Sequence, residues 1–247
     1  MERREYERLA ALDRRLWWFH GLHAQMLAAL RRARGRWAGL RLLDAGCGTG
    51  GMLASLAAGM PEAEPLGLEL DPGAAAFAAT ASGRPVAVGS VNAAPFAAQS
   101  FAAIISTDVL CHKGVDERLA LSDFHRCLAP GGLLVLNLPA YRWLFSPHDA
   151  AVDNVRRYGA RDLRRLLAAA GFTGIRTRHW NTILFPLMVL KRKLGALGGG
   201  AGESDVAPIA APLNALFRAA VGFEARLAHL GIPLPYGGSL LATAVKP

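Results

Sequence analysis

The stretch that most constrains this chain is "LLDAGCGTGG", Leu42 to Gly51. An apolar run closes on an acid, Asp44, and gives way to Gly46, Gly48 and Gly51, a literal G-x-G-x-x-G. Such a turn belongs between a strand and a helix. Glycine lets backbone N–H groups come close to a ligand, and the helix N-terminus favours an anionic group. A second acid, Glu69, closes the next apolar run. A carboxylate about 20 residues beyond the turn can accept bonds from both hydroxyls of a ribose. The plain alternative is a tight turn and a solvated glutamate. The strand–turn–helix context favours an adenosine-containing cofactor.

The rest of the chain supports that context. Short apolar runs stand at Leu40–Asp44, "EPLGLEL", "PVAV", "FAAIIST", "GLLVLNL", "GIRTRHW" and "SLLATAV". Helical patterns fall between them, at about 50–58, Pro72–Thr80, about 115–128 and about 160–170. Alternation with near-continuous apolar strands predicts an α/β fold with a buried, mostly parallel, doubly wound sheet. The expected organisation is one domain over 1–247. It comprises an N-terminal helical segment (1–38), a cofactor-binding core (39–180), a cap insertion (181–238) and a last strand (239–247). The N-terminal helix, Pro139–Gly159 and Asn181–Gly238 all exceed ordinary connection lengths. Gly198, Gly199, Gly200 and Gly202 predict a pliant loop inside the insertion. Phe185, Leu187, Leu213, Leu216 and Phe217 on either side are expected to form a lid.

With 52% apolar and 19% charged residues, the chain has the composition of a core-forming protein. The net charge of +9 rests on arginine, since lysine occurs only at Lys113, Lys191, Lys193 and Lys246. The arginines are scattered through helical segments, which argues against nucleic acid as a partner. Cys47, Cys111 and Cys127 form no C-x-x-C pair and no disulfide framework. The charged start "MERREYERLAALDRR" lacks the apolar stretch of a signal peptide, so a cytoplasmic location is expected. "ILFPLMVL" falls short of the ~20 residues that span a bilayer. Followed by cations in "ILFPLMVLKRK", it reads as a core-facing cap helix and leaves a peripheral membrane contact open.

"LLDAGCGTG", "GLELDP", "PFAAQSFAAIISTDVLCH" and "LAPGGLLVLNLP" follow one another in order. Together, over roughly Leu40 to Phe172, they resemble the class I S-adenosylmethionine-dependent methyltransferases of the methyltransferase-11 kind. The resemblance implies a Rossmann-like, seven-stranded sheet with an antiparallel last strand, with S-adenosylmethionine as cofactor; the two long connections at the cofactor edge are expected to form a helical cap with the N-terminal helix. It implies that Asp44 and the backbone of Gly46, Cys47, Gly48 and Gly50 hold the methionine end. Glu69 would take the ribose and Leu70 would pack on adenine. Ser90 and Val91 would lie at the adenine edge, and Thr107 by the methionine amino group. This chain departs from the family in having Ser90 where an aspartate is usual and Ala102 where the family has Phe-Asp. An NAD-dependent oxidoreductase would need a hydride-transfer site, and no Tyr-x-x-x-Lys pair is present. A fold relative with a non-methylating activity, such as a cyclisation, is the other alternative.

The acceptor is expected to be a small molecule, a sugar, a lipid-linked glycan or a secondary metabolite, methylated on oxygen or nitrogen. "PAYRWLFSPHDAAVDNVRRYG" starts at the carboxyl edge of the sheet, where open α/β sheets bind ligands. It resembles a pattern in a subset of these enzymes, as do "LWWFHG" and "LPYGGSLLATAVKP"; that subset has His where Asn154 stands. Trp18, Tyr141, Arg156, Arg157 and Tyr158 are the substrate-binding candidates. His112 is the first candidate general base, followed by His148 and Asp149. Two plainer roles stand beside these: His112 hydrogen-bonding backbone or cofactor, and Asp149 pairing with Arg156 or Arg157 to pin the loop. Asp108 and His112 share an i, i+4 spacing with Cys111 beside them, but no third ligand is evident and no metal site is assigned. "NLPAY" is similar to the Asn-Pro-Pro-Tyr motif of nucleobase methylation, but it follows strand five rather than strand four and is read as coincidence.

Overall fold

The computed structural model describes residues 3–33, 37–197, 209–230, 232 and 234–247. Seven strands form one sheet in the order β3-β2-β1-β4-β5-β7-β6. They are β1 (Arg41–Ala45), β2 (Glu64–Glu69), β3 (Val86–Val88), β4 (Phe101–Thr107), β5 (Leu128–Pro139), β6 (Thr173–Trp180) and β7 (Ser239–Val245). β1 to β5 pair in parallel, and β7 runs antiparallel between β5 and β6. The expected sheet is therefore present.

Side-chain alternation along these strands feeds two separate cores. Leu43, Ile104, Leu134 and Leu136 point to one face, and Leu42, Ala103, Ile105, Leu133 and Val135 to the other. The first face is covered by α5 (Glu117–Cys127) and α7 (Ala160–Ala169) through Leu121, Phe124, Leu163 and Leu167. The second is covered by α2 (Trp17–Ala33) and α3 (Gly51–Gly59) through Met26, Leu30, Met52 and Leu56. Fully burying each such side chain contributes roughly 1.5–3 kcal/mol. Strands covered on both faces must be apolar throughout, which is why they read as continuous runs.

Local signals fix the helix starts. Asp71 caps α4 (Pro72–Ser82) by accepting from Ala74 N–H at 2.8 Å, with Pro72 in the first turn. Asp116 caps α5 by accepting from the N–H groups of Arg118 and Leu119. Ser146 and Asp149 form a capping box on the short α6 (Pro147–Ala151).

Two expectations are corrected. The N-terminal segment is two helices, α1 (Arg3–Arg15) and α2, broken at Leu16. The β5 pairing starts at Leu128, so "APGG" lies inside the strand, with Gly131 at φ +71°. The insertion folds as α8 (Phe185–Leu197) and α9 (Ala211–His229). Leu187, Leu213 and Leu216 are exposed, and Phe217 packs edge-on against Trp17 at 5.5 Å. α9 thus turns its 214/217/221/224 face to α2, a helical i, i+3, i+7, i+10 spacing. Val221 sits against Gly21 there, and Glu224 accepts from Thr182 N–H at 2.7 Å. The glycines at 198–200 and 202 lie outside the described residues. No described helix is long and apolar enough to cross a membrane.

Candidate functional site

The glycine turn is sewn to the neighbouring strand. Gly46 and Cys47 both donate their N–H groups to Leu68 C=O, at 2.8 and 3.0 Å. Gly48 N–H donates to Glu69 Oε2 at 2.9 Å, and Asp71 N–H to Oε1 of the same carboxylate at 3.1 Å. Two glycines here are needed for different reasons. Gly46 has φ +80°, and a side chain on it would run into Val109. Gly48 has φ +55°, and a side chain on it would meet nothing within 4 Å. The space in front of Gly48 is therefore open, and glycine keeps it so.

Asp44 is fully buried, and neither carboxylate oxygen has a hydrogen-bond partner. Burial, then the charges of Asp13 and Glu69, push its carboxyl up to about 8. A buried acid without a partner is costly unless a ligand supplies one. An orphaned carboxyl, an open glycine face and a ribose-competent Glu69 together fit an adenosine cofactor with a cationic tail. The Cys47 thiol packs against Gly67, and burial raises it far above its ordinary range, so it contributes backbone rather than chemistry.

The other cofactor candidates surround the same edge. Leu70 is 66% exposed next to Glu69, free to cover a base. Ser90 Oγ accepts from Asn92 N–H at 3.1 Å, whereas Val91 belongs to the core. Thr107 ends β4, half-buried.

Beyond Thr107 lies a network that the sequence reading did not assemble. Asp108, at φ +54°, receives both its carboxylate bonds from Asn137 Nδ2, each at 3.1 Å. Asn137 Oδ1 in turn accepts from Trp180 Nε1 at 2.7 Å. Burial raises the Asp108 carboxyl to about 7 against the opposing influence of Asn137 and Arg157. The available signal was a single polar residue inside the apolar "LLVLNLP". Asn137 is fully buried and joins the tips of three strands.

His112 sits half-buried on the loop after β4, bridged to Asn154. Burial lowers its ring below the ordinary value, with Asp153 and Glu69 acting the other way. The ring is neutral at pH 7, as a base must be. Asn154 also accepts from the Cys111 thiol at 3.0 Å.

Asp149 and Arg157 form a buried pair, with Arg157 Nη2 2.8 Å from Asp149 Oδ1 and Nε bonded to both oxygens. Ser146 N–H and Arg192 complete the surroundings of Asp149. Arg157 also donates to Ala140 C=O at 3.0 Å. The loop-pinning role accounts for these contacts. Arg156 donates to Val115 C=O at 2.9 Å and pairs with Glu117 at 3.6 Å. The Tyr158 hydroxyl lies 2.9 Å from Leu110 C=O and 2.8 Å from Glu117. Arg156, Arg157 and Tyr158 line a groove of about 990 Å³ between α5 and α7 that shares no lining residue with the glycine turn. His148 lies on α6, half-buried.

Tyr141 stands apart from that groove's wall. Its ring stacks on His179 at 5.2 Å and 7°, with Trp143 at 5.7 Å and Phe185 at 5.6 Å. Tyr236 extends the cluster through Phe185. Trp18 lies 6.1 Å from Trp180, packed against the core beneath α2. The segment after the fifth strand and its resemblance marked Tyr141; the ring cluster comes from four separate segments and has no local signature.

Known proteins similar to this chain are methyltransferases. Residues 43–136 match the family model described as "Methyltransferase domain". That span contains Asp44, the glycine turn, Glu69 and His112. Over that span the chain is similar to methyltransferase domains, and its sheet fits their Rossmann-like α/β fold. A malonyl-[acyl-carrier protein] O-methyltransferase of Dechloromonas aromatica is 31% identical over 140 residues, 54% of this chain and 52% of that protein. The O-methyltransferase cnsE of Penicillium expansum is 29% identical over 209 residues, 75% of this chain and 72% of that one. The chain thus spans about half the length of the first relative. Among solved structures, the Haemonchus contortus phosphoethanolamine N-methyltransferase 2 with S-adenosyl-L-methionine superposes with a TM-score of 0.60 at 20% identity. It covers 90% of this chain and 52% of that one, a likeness of fold.

Proposed function

We propose that the protein transfers a methyl group from S-adenosylmethionine to an oxygen or nitrogen of a small-molecule acceptor. The observation that carries this is the conjunction of orphaned Asp44 and open Gly48 in one turn with Glu69, which closes β2 and accepts from Gly48 N–H. When bound, the cofactor supplies a methyl group already activated on a sulfonium. The chain's part is then alignment and proton management. Glu69 accepts from the ribose hydroxyls, its orientation set by Gly48 N–H. Leu70 covers the adenine, with Ser90 and Val91 at its edge. Asp44 and the Gly46–Gly50 backbone hold the methionine end beside Thr107. His112 takes the proton from the acceptor, and the Tyr141 ring cluster gives that acceptor an apolar wall that excludes water. His148 and Asp149 are second in rank for the proton. Asp149 acts through Arg157 to fix the loop carrying Tyr141 and Tyr158.

Both curated relatives are named O-methyltransferases, which favours oxygen over nitrogen. A sugar, a lipid-linked glycan and a secondary metabolite all suit an aromatic wall. The test is formation of S-adenosylhomocysteine with methyl-labelled donor over a panel of hydroxyl, carboxyl and amine acceptors. Acceptor-dependent product with label on oxygen supports the reading. Donor binding with label transferred to none of them, but with rearrangement of an acceptor, would replace it with the cyclisation alternative.

A further inference from the structure

We propose that the outer face of α8 and α9, with the exposed rings of Trp143 and Tyr236, docks the protein on an anionic lipid bilayer. This surface lies outside the matched span 43–136 and uses no part of the glycine turn, so it stands independently of the methyl-donor reading.

α9 turns Asn214, Phe217 and Val221 to α2, where they meet Trp17 and Gly21. Another side of the same helix carries Leu213, Leu216, Ala220, Phe223, Leu227 and Leu230, at alternating steps of three and four residues. That spacing sets all six on one stripe. The stripe has no cover: Leu216 is 63% exposed, Phe223 55% and Leu230 73%. The start of α8 is similar, with Ile183, Leu187 and Leu190 exposed at i, i+4, i+7. The two helices are tied where Glu224 of α9 accepts from Thr182 and Ile183 N–H, at 2.7 and 3.3 Å. From Leu230 the chain runs through exposed Ile232 to Tyr236, whose ring lies 5.7 Å from Phe185, the first residue of α8. The Trp143 ring lies 6.3 Å from Phe185 as well. These ties bring the exposed apolar residues of the cap together. A gathered apolar surface, unlike single exposed residues, marks an interaction site.

Charge selects the occupant. α8 contains no acid, and the sole acid of α9, Glu224, is fully buried. Neither helix therefore presents an acid to solvent. Arg226 is exposed beside the stripe, three residues beyond Phe223, and Arg218 is exposed two turns earlier. An apolar stripe with arginine beside it and no exposed acid suits a helix lying in the surface of a bilayer with anionic headgroups. Trp143 and Tyr236 fit the same setting, since rings with one polar end settle at the headgroup level. The competing occupant is a second copy of this chain. A two-fold contact sets one patch against itself, which would bring two arginine-bearing helices together with no exposed acid between them. No described helix is long and apolar enough to cross a bilayer, so contact through these helices lies in its surface. Phe185 also belongs to the ring cluster around Tyr141, and docking would set that cluster at the lipid.

Flotation of the full chain with vesicles tests this. One set of vesicles is phosphatidylcholine alone, the other an equimolar mixture of phosphatidylcholine and phosphatidylglycerol. Wild type is compared with the double variant Leu216→Ser, Phe223→Ser, with Arg226→Glu, and with Leu119→Ser, a control at an exposed leucine of α5. All the replaced side chains are exposed, and thermal melts check that the fold is kept. Wild type should float with the mixed vesicles and bind them about ten-fold or more better than the neutral ones. The double variant should lose about ten-fold or more, and Arg226→Glu about five-fold or more, the scale of one cation at an anionic surface. Leu119→Ser should stay within two-fold of wild type. If the double variant melts early, Arg226→Glu carries the test. Wild type that does not float, equal binding to both vesicle types, or folded variants that bind as wild type does would each overturn the proposal. A dimer in analytical ultracentrifugation that the double variant abolishes, without vesicle binding, would give the face to a second copy and overturn it too. No arm contains S-adenosylmethionine, so failure here leaves the methyl-donor reading untouched.

Discussion

The backbone N–H of Gly48 donates to Glu69 Oε2 at 2.9 Å, joining the glycine turn to the end of the second strand. One bond thereby sets the orientation of a carboxylate and the position of the open face beside it. Glu69→Ala removes the acceptor for two ribose hydroxyls, at ~1.5–3 kcal/mol per charge-assisted bond. Donor affinity should fall at least ten-fold by calorimetry; a change under two-fold would remove Glu69 from the ribose site.

Gly48→Val should be worse. The position combines φ +55° with open space that the cofactor is expected to fill. A branched side chain there is strained in the backbone and occupies the ligand's place. Donor binding at wild-type strength in this variant would show that the cofactor does not pass in front of Gly48.

His112→Ala should keep donor affinity and slow turnover. For a hydroxyl acceptor the loss expected of a general base is ~10²–10⁴-fold. Burial holds His112 below its ordinary value, so the neutral, proton-accepting ring is present at pH 7 and is lost only as pH falls through that lowered value. Wild-type turnover should therefore be flat near neutrality and decline on the acid side, and the decline should vanish in the variant. The same acid limb in both proteins would assign it to another group.

The buried pair Asp149–Arg157 should matter for stability first. Asp149→Asn strands the Arg157 charge, and breaking one partner of a buried pair costs about 3–5 kcal/mol. Burial pushes the Asp149 carboxyl up, but the bonds and charge of Arg157, with Ser146 and Arg192, outweigh it and leave it below the ordinary value. A lowered carboxylate stabilises the fold above its unfolded value, near 3.8, and that contribution is lost as pH falls through the folded value. Wild type should lose the advantage over Asp149→Asn only in acid, read from melting temperature against pH. Parallel curves down to low pH would mean that the pair is not holding the loop.

Asp44 carries the opposite sign. Its folded value is raised to about 8 from 3.8, so its contribution is greatest below pH 4 and is lost as pH rises through 8. The ligand-free protein should lose stability relative to Asp44→Asn between those limits. A cationic donor reverses the shift, so binding near pH 7 should release a proton, measurable as a calorimetric heat that depends on the buffer's ionisation enthalpy. A buffer-independent heat would place the donor's cation elsewhere.

Much of the fold was legible because burial on both faces forces an unmistakable pattern. The apolar runs at 42–45, 101–105 and 133–138 read as strands for the same reason that they pair in the centre of the sheet. The antiparallel β7 followed from resemblance and is geometrically required, since β6 ends at Trp180 on the edge where Ser239 begins. The candidate site was legible where it is contiguous in sequence, from Asp44 to Gly51 and at Glu69. It was not legible where separate segments meet. Asp13 looks like any charge in an amphipathic helix, and only the packing of α1 on α3 brings it to Gly51. The Asp108–Asn137–Trp180 chain likewise depends on three strand tips lying side by side. Helical spacing in 211–229 shows that an apolar face exists, not which way it turns. Phe217 and Val221 took the inward places on α9.

The central claim is that the turn from Asp44 to Gly51, with Glu69, holds a methyl donor. Calorimetric titration of the full chain with S-adenosylmethionine, S-adenosylhomocysteine and NAD tests it most directly, repeated on Glu69→Ala. Binding of the first two, no binding of NAD, and a loss of at least ten-fold in the variant are the predicted result. Binding of NAD, or donor binding that Glu69→Ala leaves unchanged, would contradict it.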